Sequence, residues 1–301
     1  MAIRKIGLGG VQVSVTAGPH EAGLHFSVGG RWWQRLMARM AGGDAALRSG
    51  TPAASPAPGT GEPDGLQQRV NGINWYHTLD LGNGVRTPGA FDHAPILDLY
   101  RIPARLDGLR VLDIATYDGF WAFEFERRGA REVLAMDLEG PAHLDWPPRR
   151  AGVVPEGQPE RFGLGFEIAR EELRSSVRRV VCNVYDLRPE TFGHFDVVHA
   201  GDLLLHLNSP VRALQNMARV CTGYALISEP YFPDLDCMGT RPLVEYRGGG
   251  DVPTWWRIGL NALKEMVRDA GFSRIEVLNT FQYGYRATPG RMSHAVIQAF
   301  R

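Results

Sequence analysis

Two acidic residues close short apolar runs and are separated by a pattern typical of a helix. Asp113 and Asp137 belong to RVLDIATYDGFWAFEFERRGAREVLAMD, residues 110–137, which we interpret as strand, tight turn, helix and strand. Such a unit binds nucleotides at the carboxyl ends of its strands, beside the helix N-terminus. A carboxylate after the second strand holds the ribose hydroxyls. By position, Asp137 is that carboxylate.

The turn between the first strand and the helix departs from the dinucleotide fingerprint. It reads Ala-Thr-Tyr-Asp-Gly, residues 115–119, where the fingerprint has G-x-G-x-x-G, so only Gly119 remains. Asp113 and Asp118 would repel a pyrophosphate but suit a cationic ligand. S-adenosylmethionine carries a sulfonium and an ammonium group, so the acidic turn favours it over NAD. The alternative is a Rossmann-like strand pair without a ligand.

A second group of ionisable residues lies where the fourth and fifth strands are expected to end. Asp202 and His206 are four residues apart in HAGDLLLHL and share a face if the segment turns helical. An imidazole titrates near neutral pH, so His206 is a candidate base; the alternative is that it bonds to the backbone and shapes the loop. Glu229, in SEPYFPDLD, is a further candidate because an acceptor pocket is expected there.

Three blocks of sequence carry a family resemblance. They are WYHTLDLGNGVRTPGAFD (residues 75–92), LDIATYDGFWAFEFERRGA (residues 112–130) and GDLLLHLNSPVRAL (residues 201–214). On these blocks the chain resembles the class I S-adenosylmethionine-dependent methyltransferases related to the tRNA wobble-uridine methyl- and carboxymethyltransferases, over roughly residues 70–301. The resemblance is specific for the fold and weak for the substrate, because small-molecule methyltransferases share it.

The resemblance implies a site for S-adenosyl-L-methionine, with S-adenosyl-L-homocysteine (SAH) as product. The residues implied at the methionine end, the ribose and the adenine are, in that order, Asp113, Thr116, Asp118 and Gly119; Asp137 and Leu138; Tyr185 and Asp186. Tyr117, in the same turn, is a further candidate for binding the cofactor. Asp186 also ends a largely apolar run, as the first two acids do. The alternative for Asp186 is a helix N-cap or a turn.

The block at residues 75–92 precedes the first strand of the main domain. In the family that it resembles, this segment folds over the cofactor, which makes Trp75, Tyr76 and His77 candidates for a lid and His77 a second candidate base. The internal LGNG is a good hairpin turn by itself, so a purely structural hairpin is the competing interpretation.

One departure from the family bears on the methyl donor. Carboxymethyl-transferring members have a tyrosine immediately before the loop histidine and extra basic residues, whereas this chain has Leu205 there and no lysine in the preceding block. Plain S-adenosylmethionine is therefore favoured. A carboxylated donor stays an alternative, because Arg86 is a possible partner for the extra carboxylate.

Composition limits the compartment and the partners. The chain has 301 residues with 33 basic and 33 acidic side chains, so it lacks the positive field that usually carries affinity for a phosphate backbone; tRNA is disfavoured, not excluded. No apolar run approaches the length of a membrane span. Three distant cysteines, Cys182, Cys221 and Cys237, predict a reducing cytoplasm and no zinc site.

The organisation changes near residue 70. We expect an N-terminal extension (1–40), a flexible linker (41–68) and the main domain (69–301). The extension has strand-like runs at 11–15 and 24–28, then a basic amphipathic helix in RWWQRLMARM, residues 31–40. That helix packs on the domain, makes a homodimer contact, or serves as a membrane-surface or substrate lid; the sequence does not decide.

Regular alternation of strands and helices follows in the main domain. Besides the first unit, we expect helices near 166–177, 209–221 and 258–270 and strands at 179–184, 195–200, 224–228, 273–280 and 293–300. The last two strands match the antiparallel hairpin of the methyltransferase sheet. The predicted fold is a doubly wound, Rossmann-like, seven-stranded α/β sheet with an N-terminal extension.

Three functions compete at this stage. We favour an S-adenosylmethionine-dependent methyltransferase that acts on oxygen or nitrogen of a small polar metabolite. The first alternative is a tRNA wobble-uridine methyl- or carboxymethyltransferase, and the second is a non-catalytic binding protein that keeps the fold. The acids Asp113, Asp137 and Asp186 favour a working cofactor site over the last alternative.

Overall fold

The computed structural model describes residues 2–8, 11–18, 21–28, 65–150, 161–248, 254–287 and 290–301. The chain divides into two compact units, residues 1–58 with 154–158, and residues 59–153 with 159–301. The expected amphipathic helix at residues 31–40 and most of the expected linker lie outside the described residues.

The first unit contains a three-stranded antiparallel sheet in the order β1-β2-β3. Its strands are β1 (Ala2–Leu8), β2 (Val11–Gly18) and β3 (Glu21–Val28). β2 and β3 contain the two strand-like runs that the sequence predicts. The sequence pattern does not predict β1, because Arg4 and Lys5 interrupt its apolar residues.

The second unit contains the seven-stranded, mostly parallel sheet that the sequence predicts. Its strands are β4 (Arg110–Ile114), β5 (Glu132–Asp137), β6 (Arg178–Val181), β7 (Phe195–Gly201), β8 (Cys221–Tyr231), β11 (Arg274–Tyr283) and β12 (Met292–Phe300). Their order is β11-β12-β8-β7-β4-β5-β6, and only β12 runs antiparallel to its neighbours. The chain winds outward from β4 in both directions, so the crevice where ligands bind such sheets lies at the carboxyl ends of β4 and β7.

Helices cover both faces of this sheet. They are α1 (Gly65–Asn71), α2 (Phe120–Arg127), α3 (Leu164–Glu172), α4 (Pro189–Phe192), α5 (Pro210–Val220) and α6 (Leu260–Asp269). α1 begins at Gly65, four residues before the expected start of the main domain. Pro210 occupies the first turn of α5, where a missing N–H costs nothing.

Two apolar cores hold the layers together, because successive residues of a strand point to opposite faces. Leu112 and Ile114 of β4 belong to the core shared with α5 and α6. Val111 belongs to the core shared with α1, α2, α3 and the segment that precedes β4. Trp75, Leu79 and Val85 of that segment are buried in this second core.

The segment at residues 72–109 has little regular structure and is fixed by close backbone contacts. His77 forms a bridge with Phe91, and Asp80 with Arg86, around the LGNG turn that the sequence predicts as a hairpin. A Cβ atom on Gly89 would lie 2.0 Å from the carbonyl carbon of His77, so this crossing requires glycine.

A small insertion follows β8 and was not apparent in the sequence pattern. β9 (Val244–Tyr246) and β10 (Trp256–Ile258) form a two-stranded antiparallel sheet. Three-residue strands among glycines and prolines give no recognisable alternation, which explains the omission. Among the described residues, no helix has the length and apolar character that crossing a membrane requires.

Candidate functional site

The carboxyl edge of the sheet collects four of the predicted acids. Asp113 and Asp137 lie at the ends of β4 and β5, Asp202 directly follows β7, and Glu229 lies near the end of β8. Parallel strands end at the same edge, so local sequence signals from four separate strands meet in one region.

Asp137 stands at the end of β5 and organises the turn after β4. Its carboxylate accepts hydrogen bonds from the backbone N–H groups of Tyr117 and Leu138, both at 2.7 Å. Asp137 is 8% exposed, and burial raises its pKa to about 6, against the opposing effect of the two N–H donors. The carboxylate lies at the carboxyl end of β5, the position on which the predicted ribose role depends.

The turn at residues 115–119 contains three residues with the left-handed backbone typical of glycine, although only one of them is a glycine. Ala115, Tyr117 and Gly119 have φ values of 60°, 49° and 91°. Gly119 is required for a second reason, because a Cβ atom there would lie 2.5 Å from the ring of Phe123. The Thr116 hydroxyl is buried and has no hydrogen-bond partner among the described residues.

Asp113 is paired with a histidine, His199, on the neighbouring strand. Its Oδ1 lies 2.7 Å from Nδ1 of His199 on the neighbouring strand, and both side chains are buried. Its Oδ2 has no partner among the described residues. Asp113 therefore retains one acceptor for a ligand while the other holds an imidazole.

Asp118 performs a different task from the one expected at the methionine end of a cofactor. Its Oδ2 accepts from the backbone N–H of Tyr76 at 2.8 Å and of His77 at 3.0 Å, and its Oδ1 bonds to Nδ1 of His77. The carboxylate therefore fixes the segment that overlies the site. The same contacts bury His77, whose ring stacks on Phe120, so the structure does not place His77 as an accessible base.

The three lid candidates differ in their surroundings. Trp75 is 1% exposed and its indole N–H donates to the carbonyl of Val70 at 2.9 Å, which makes it a core residue rather than a lid. Tyr76 is half-buried, and its hydroxyl donates to Oδ2 of Asp202 at 3.4 Å. Only Tyr76 of the three therefore reaches from the overlying segment to the acids at the sheet edge.

Asp202 is the electrostatic centre of the acceptor side. Its Oδ1 lies 2.9 Å from Nε2 of His294, and its backbone has a left-handed φ of 51°. Burial alone would raise the pKa of Asp202, but the imidazoles of His294, His93 and His206 outweigh it and hold the pKa below its ordinary value. Asp202 is therefore a carboxylate held by His294 through one oxygen and by the Tyr76 hydroxyl through the other.

His206 lies in the 3₁₀ turn Leu204–His206 and is near enough to Asp202 to help lower the pKa of that carboxylate. Glu229 binds the backbone of that loop. Its Oε1 accepts from the backbone N–H groups of Leu203 at 2.8 Å and Leu204 at 3.0 Å. Burial, assisted by Asp202, raises its pKa well above the ordinary value. Glu229 is thus a buried acid that positions the loop, not an exposed base.

The two adenine candidates lie at the far side of the edge. Tyr185 donates its hydroxyl to Asp145 at 2.6 Å and accepts from the backbone N–H of Ser209 at 2.9 Å. Asp186 ends the 3₁₀ turn Val184–Asp186 and is exposed, while Asn183 caps that turn. The turn alternative thus describes the local structure of Asp186, and its carboxylate remains accessible.

Several residues of the site have no signal in the sequence. His294 is fully buried in β12, and His93 lies between the hydroxyls of Tyr100 and Tyr283 at 2.9 and 3.3 Å. Burial lowers the pKa of His93 well below the ordinary value, and the neighbouring His77 adds to the effect. These histidines occur singly in apolar sequence, so only the fold shows that they meet.

A cavity opens beside the acidic turn. It is lined by Tyr117 and Asp118, by residues 72–74, and by residues 161–165 at the start of α3.

Arg86, which kept a carboxylated donor open, pairs with Asp92 at 3.4 Å on the exposed hairpin. Among the described residues, no group of three or more His, Cys, Asp or Glu side chains is arranged to hold a metal ion.

Comparison with known proteins gives one family. The profile described as a methyltransferase domain matches residues 92–277. A comparison with curated proteins finds no match. The narrower resemblance to the tRNA wobble-uridine enzymes receives no support from these comparisons.

Solved structures share the fold. The N-terminal domain of EvdMO1 with SAH bound superposes with a TM-score of 0.54 at 20% identity, covering 78% of this chain and 96% of that one. The same domain in the presence of SAH and D-fucose gives the same values, 0.54, 20%, 78% and 96%. Full-length EvdMO1 gives 0.52 at 18% identity, covering 82% of this chain and 49% of that one. At these identities the likeness establishes the fold alone.

Proposed function

We propose, from the premise that this chain belongs to the methyltransferase-domain family and is an S-adenosylmethionine-dependent methyltransferase, that its acceptor is a small polar metabolite methylated at oxygen or nitrogen. The observation that carries the proposal is the group of acids Asp113, Asp137 and Asp202 at the carboxyl ends of β4, β5 and β7, which suits a cationic donor and a proton-bearing acceptor.

The residues present fit the cofactor. Asp137 would hold the ribose hydroxyls, and Leu138 and Tyr185 would flank the adenosine. The unpartnered Oδ2 of Asp113 and hydroxyl of Thr116 are buried polar atoms that a ligand ammonium would satisfy. When bound, the cofactor supplies an electrophilic methyl group on a sulfonium.

The chain itself must align the acceptor with that methyl group and exclude water. Alignment of this kind supplies roughly 7 to 11 kcal/mol of a reaction barrier. The overlying segment is suited to exclusion of water, because Asp118 binds it through two backbone N–H groups and the His77 ring.

A proton must leave the acceptor if it is a hydroxyl or an ammonium. We assign His206 as the base and Asp202 as the carboxylate that orients the acceptor and stabilises the imidazolium that forms. Glu229 keeps the intervening loop in place through its two backbone contacts.

The acceptor side suits a small molecule better than a nucleic acid. The Asp202 side chain is 22% exposed and lies beneath Tyr76, so access is narrow. The total charge of zero offers no field for a phosphate backbone. A structural neighbour was crystallised in the presence of D-fucose, which makes deoxyhexoses sensible first acceptors to test.

The compartment and the assembly are also proposals. Cys182, Cys221 and Cys237 are free, which supports a reducing cytoplasm. A homodimer contact through residues 31–40 remains a prediction, since that segment lies outside the described residues.

The acceptor class is tested by following a labelled methyl group. The protein is incubated with methyl-labelled S-adenosylmethionine and, in separate reactions, with D-fucose, a small-molecule extract and total tRNA. We expect mass spectrometry to find the label in small compounds; label in tRNA alone would reject the proposal. His206→Asn should lower transfer by about 10²- to 10⁴-fold while leaving SAH binding unchanged, and His143→Asn, at an exposed histidine, is the matched control.

A further inference from the structure

The feature that leads to this inference is a tyrosine in a backbone conformation that normally belongs to glycine. Tyr117 has a φ of 49° in the turn after β4. A bulky residue in the left-handed region is strained, and such strain persists where the surrounding structure imposes it, often at functional sites. The ring is thus present at this position despite its cost.

The Tyr117 ring lies in an aromatic row. Its centroid is 5.4 Å from that of Tyr76 on one side and 5.4 Å from that of Phe162 on the other. Burial raises the pKa of Tyr117 and of Tyr76 above the ordinary value, so both phenols are neutral at physiological pH. Tyr117 also lines the cavity beside the turn.

The two tyrosines span the distance between the predicted ribose anchor and the acceptor side. The backbone N–H of Tyr117 donates to Asp137, and the hydroxyl of Tyr76 donates to Asp202. In S-adenosylmethionine, the sulfonium lies between the ribose carbon that carries it and the acceptor that takes its methyl group. The sulfonium therefore belongs in the span that Tyr117 and Tyr76 bridge.

One of the two acids expected to balance the donor's charge, Asp118, is otherwise engaged, and the unpartnered oxygen of the other, Asp113, is assigned to the ammonium group. Both oxygens of Asp118 are used by the segment at Tyr76 and His77. The π face of a neutral aromatic ring attracts a cation without an ionised group, and this attraction grows when the site excludes water.

We infer that Tyr117, with Tyr76, binds the sulfonium of the donor through the faces of its aromatic ring, and so distinguishes the charged donor from its neutral product. The inference rests on the proposed function, because it concerns the cofactor of the same site.

The test compares two ligands that differ in this charge and the methyl group. Calorimetric titration measures the dissociation constants of S-adenosylmethionine and SAH, and their ratio gives the preference for the cation. In Tyr117→Gly, which removes the ring and suits the left-handed backbone, we expect the preference to fall by about two- to thirtyfold. Tyr117→Phe retains an aromatic face and should retain most of the preference.

Two further variants keep the result interpretable. Tyr76→Leu removes the second ring without touching the turn and should lower the preference in the same direction. Tyr246→Leu, at an exposed tyrosine on β9, should leave both constants unchanged.

The outcomes distinguish failure of the proposed function from failure of the inference about the sulfonium. Equal weakening of both ligands in Tyr117→Gly would reject a contact with the sulfonium and leave Tyr117 a structural role. Absence of binding of either ligand to the wild-type protein would reject the proposed function and this inference with it. Binding of both ligands with a preference that Tyr117→Gly does not alter would reject the inference alone.

Discussion

The ionised carboxylate of Asp137 should lower the free energy of unfolding of the protein without ligand. Burial raises its pKa from 3.8 to about 6 in the folded chain. At roughly 1.4 kcal/mol per pKa unit, the ionised carboxylate destabilises the folded state by about 3 kcal/mol above both values. Because the folded state binds more protons than the unfolded state between these values, this contribution to stability falls as pH rises toward about 6 and stays low beyond it.

The substitution that isolates this effect is Asp137→Asn, which keeps the shape and removes the titration. Between about pH 5 and about pH 7.5, wild type should lose about 1.4 kcal/mol of unfolding free energy relative to the variant, the part of the 3 kcal/mol that falls in that interval. Urea unfolding at both pH values measures the difference, and titrations common to the two proteins cancel. A difference that does not change with pH, or that favours wild type at the higher pH, would refute the reasoning.

The protonation of Asp137 should also change the affinity for SAH. If ribose hydroxyls donate to the ionised carboxylate, SAH should bind wild type about tenfold more weakly near pH 5 than near pH 7.5, because most Asp137 side chains are then protonated. Asp137→Asn should bind weakly at both pH values. Calorimetry at the two pH values checks this, and equal pH dependence in both proteins would assign the effect to another group.

Three further substitutions test the packing around the site. Trp75→Ala should lower the unfolding free energy by about 3–5 kcal/mol, because it empties a buried site, whereas a lid residue would leave it nearly unchanged. Gly89→Ala should cost on the order of 3 kcal/mol, since its Cβ atom meets the backbone of His77, and a neutral result in urea unfolding would contradict that crossing. His294→Phe keeps an aromatic ring, somewhat larger than the imidazole, and removes the hydrogen-bond partner of Asp202, so it should lower the unfolding free energy by about 2 kcal/mol. In the double variant with Asp202→Asn, the loss should be less than the sum of the single losses, and additivity would argue against the pair.

The sheet and the position of Asp137 at the end of β5 were predictable because their signals are local. β4 and β5 are short apolar runs, and Asp137 follows from its place at the end of the second run. The doubly wound, seven-stranded fold class followed from the regular alternation of strands and helices. Such features depend on neighbours in sequence, which a single chain displays.

The hydrogen-bond partners of the polar side chains were less predictable, because those partners are distant in the sequence. Asp118 lies in the turn as expected, yet its bonds go to Tyr76 and His77, about forty residues earlier. Trp75 resembles a lid residue by sequence, but the start of α3 covers it. Asp202 meets His294 only through the antiparallel pairing of β12 with β8, which no spacing in the sequence encodes.

The measurement that tests the cofactor site most directly is a calorimetric titration of SAH into wild type and Asp137→Ala at moderate salt. We predict binding in the micromolar range for wild type and a loss of at least roughly tenfold in the variant, because two ribose hydroxyls lose their acceptor. Absence of binding to folded wild-type protein, or equal binding to both proteins, would contradict the placement of the cofactor at the carboxyl edge of the sheet.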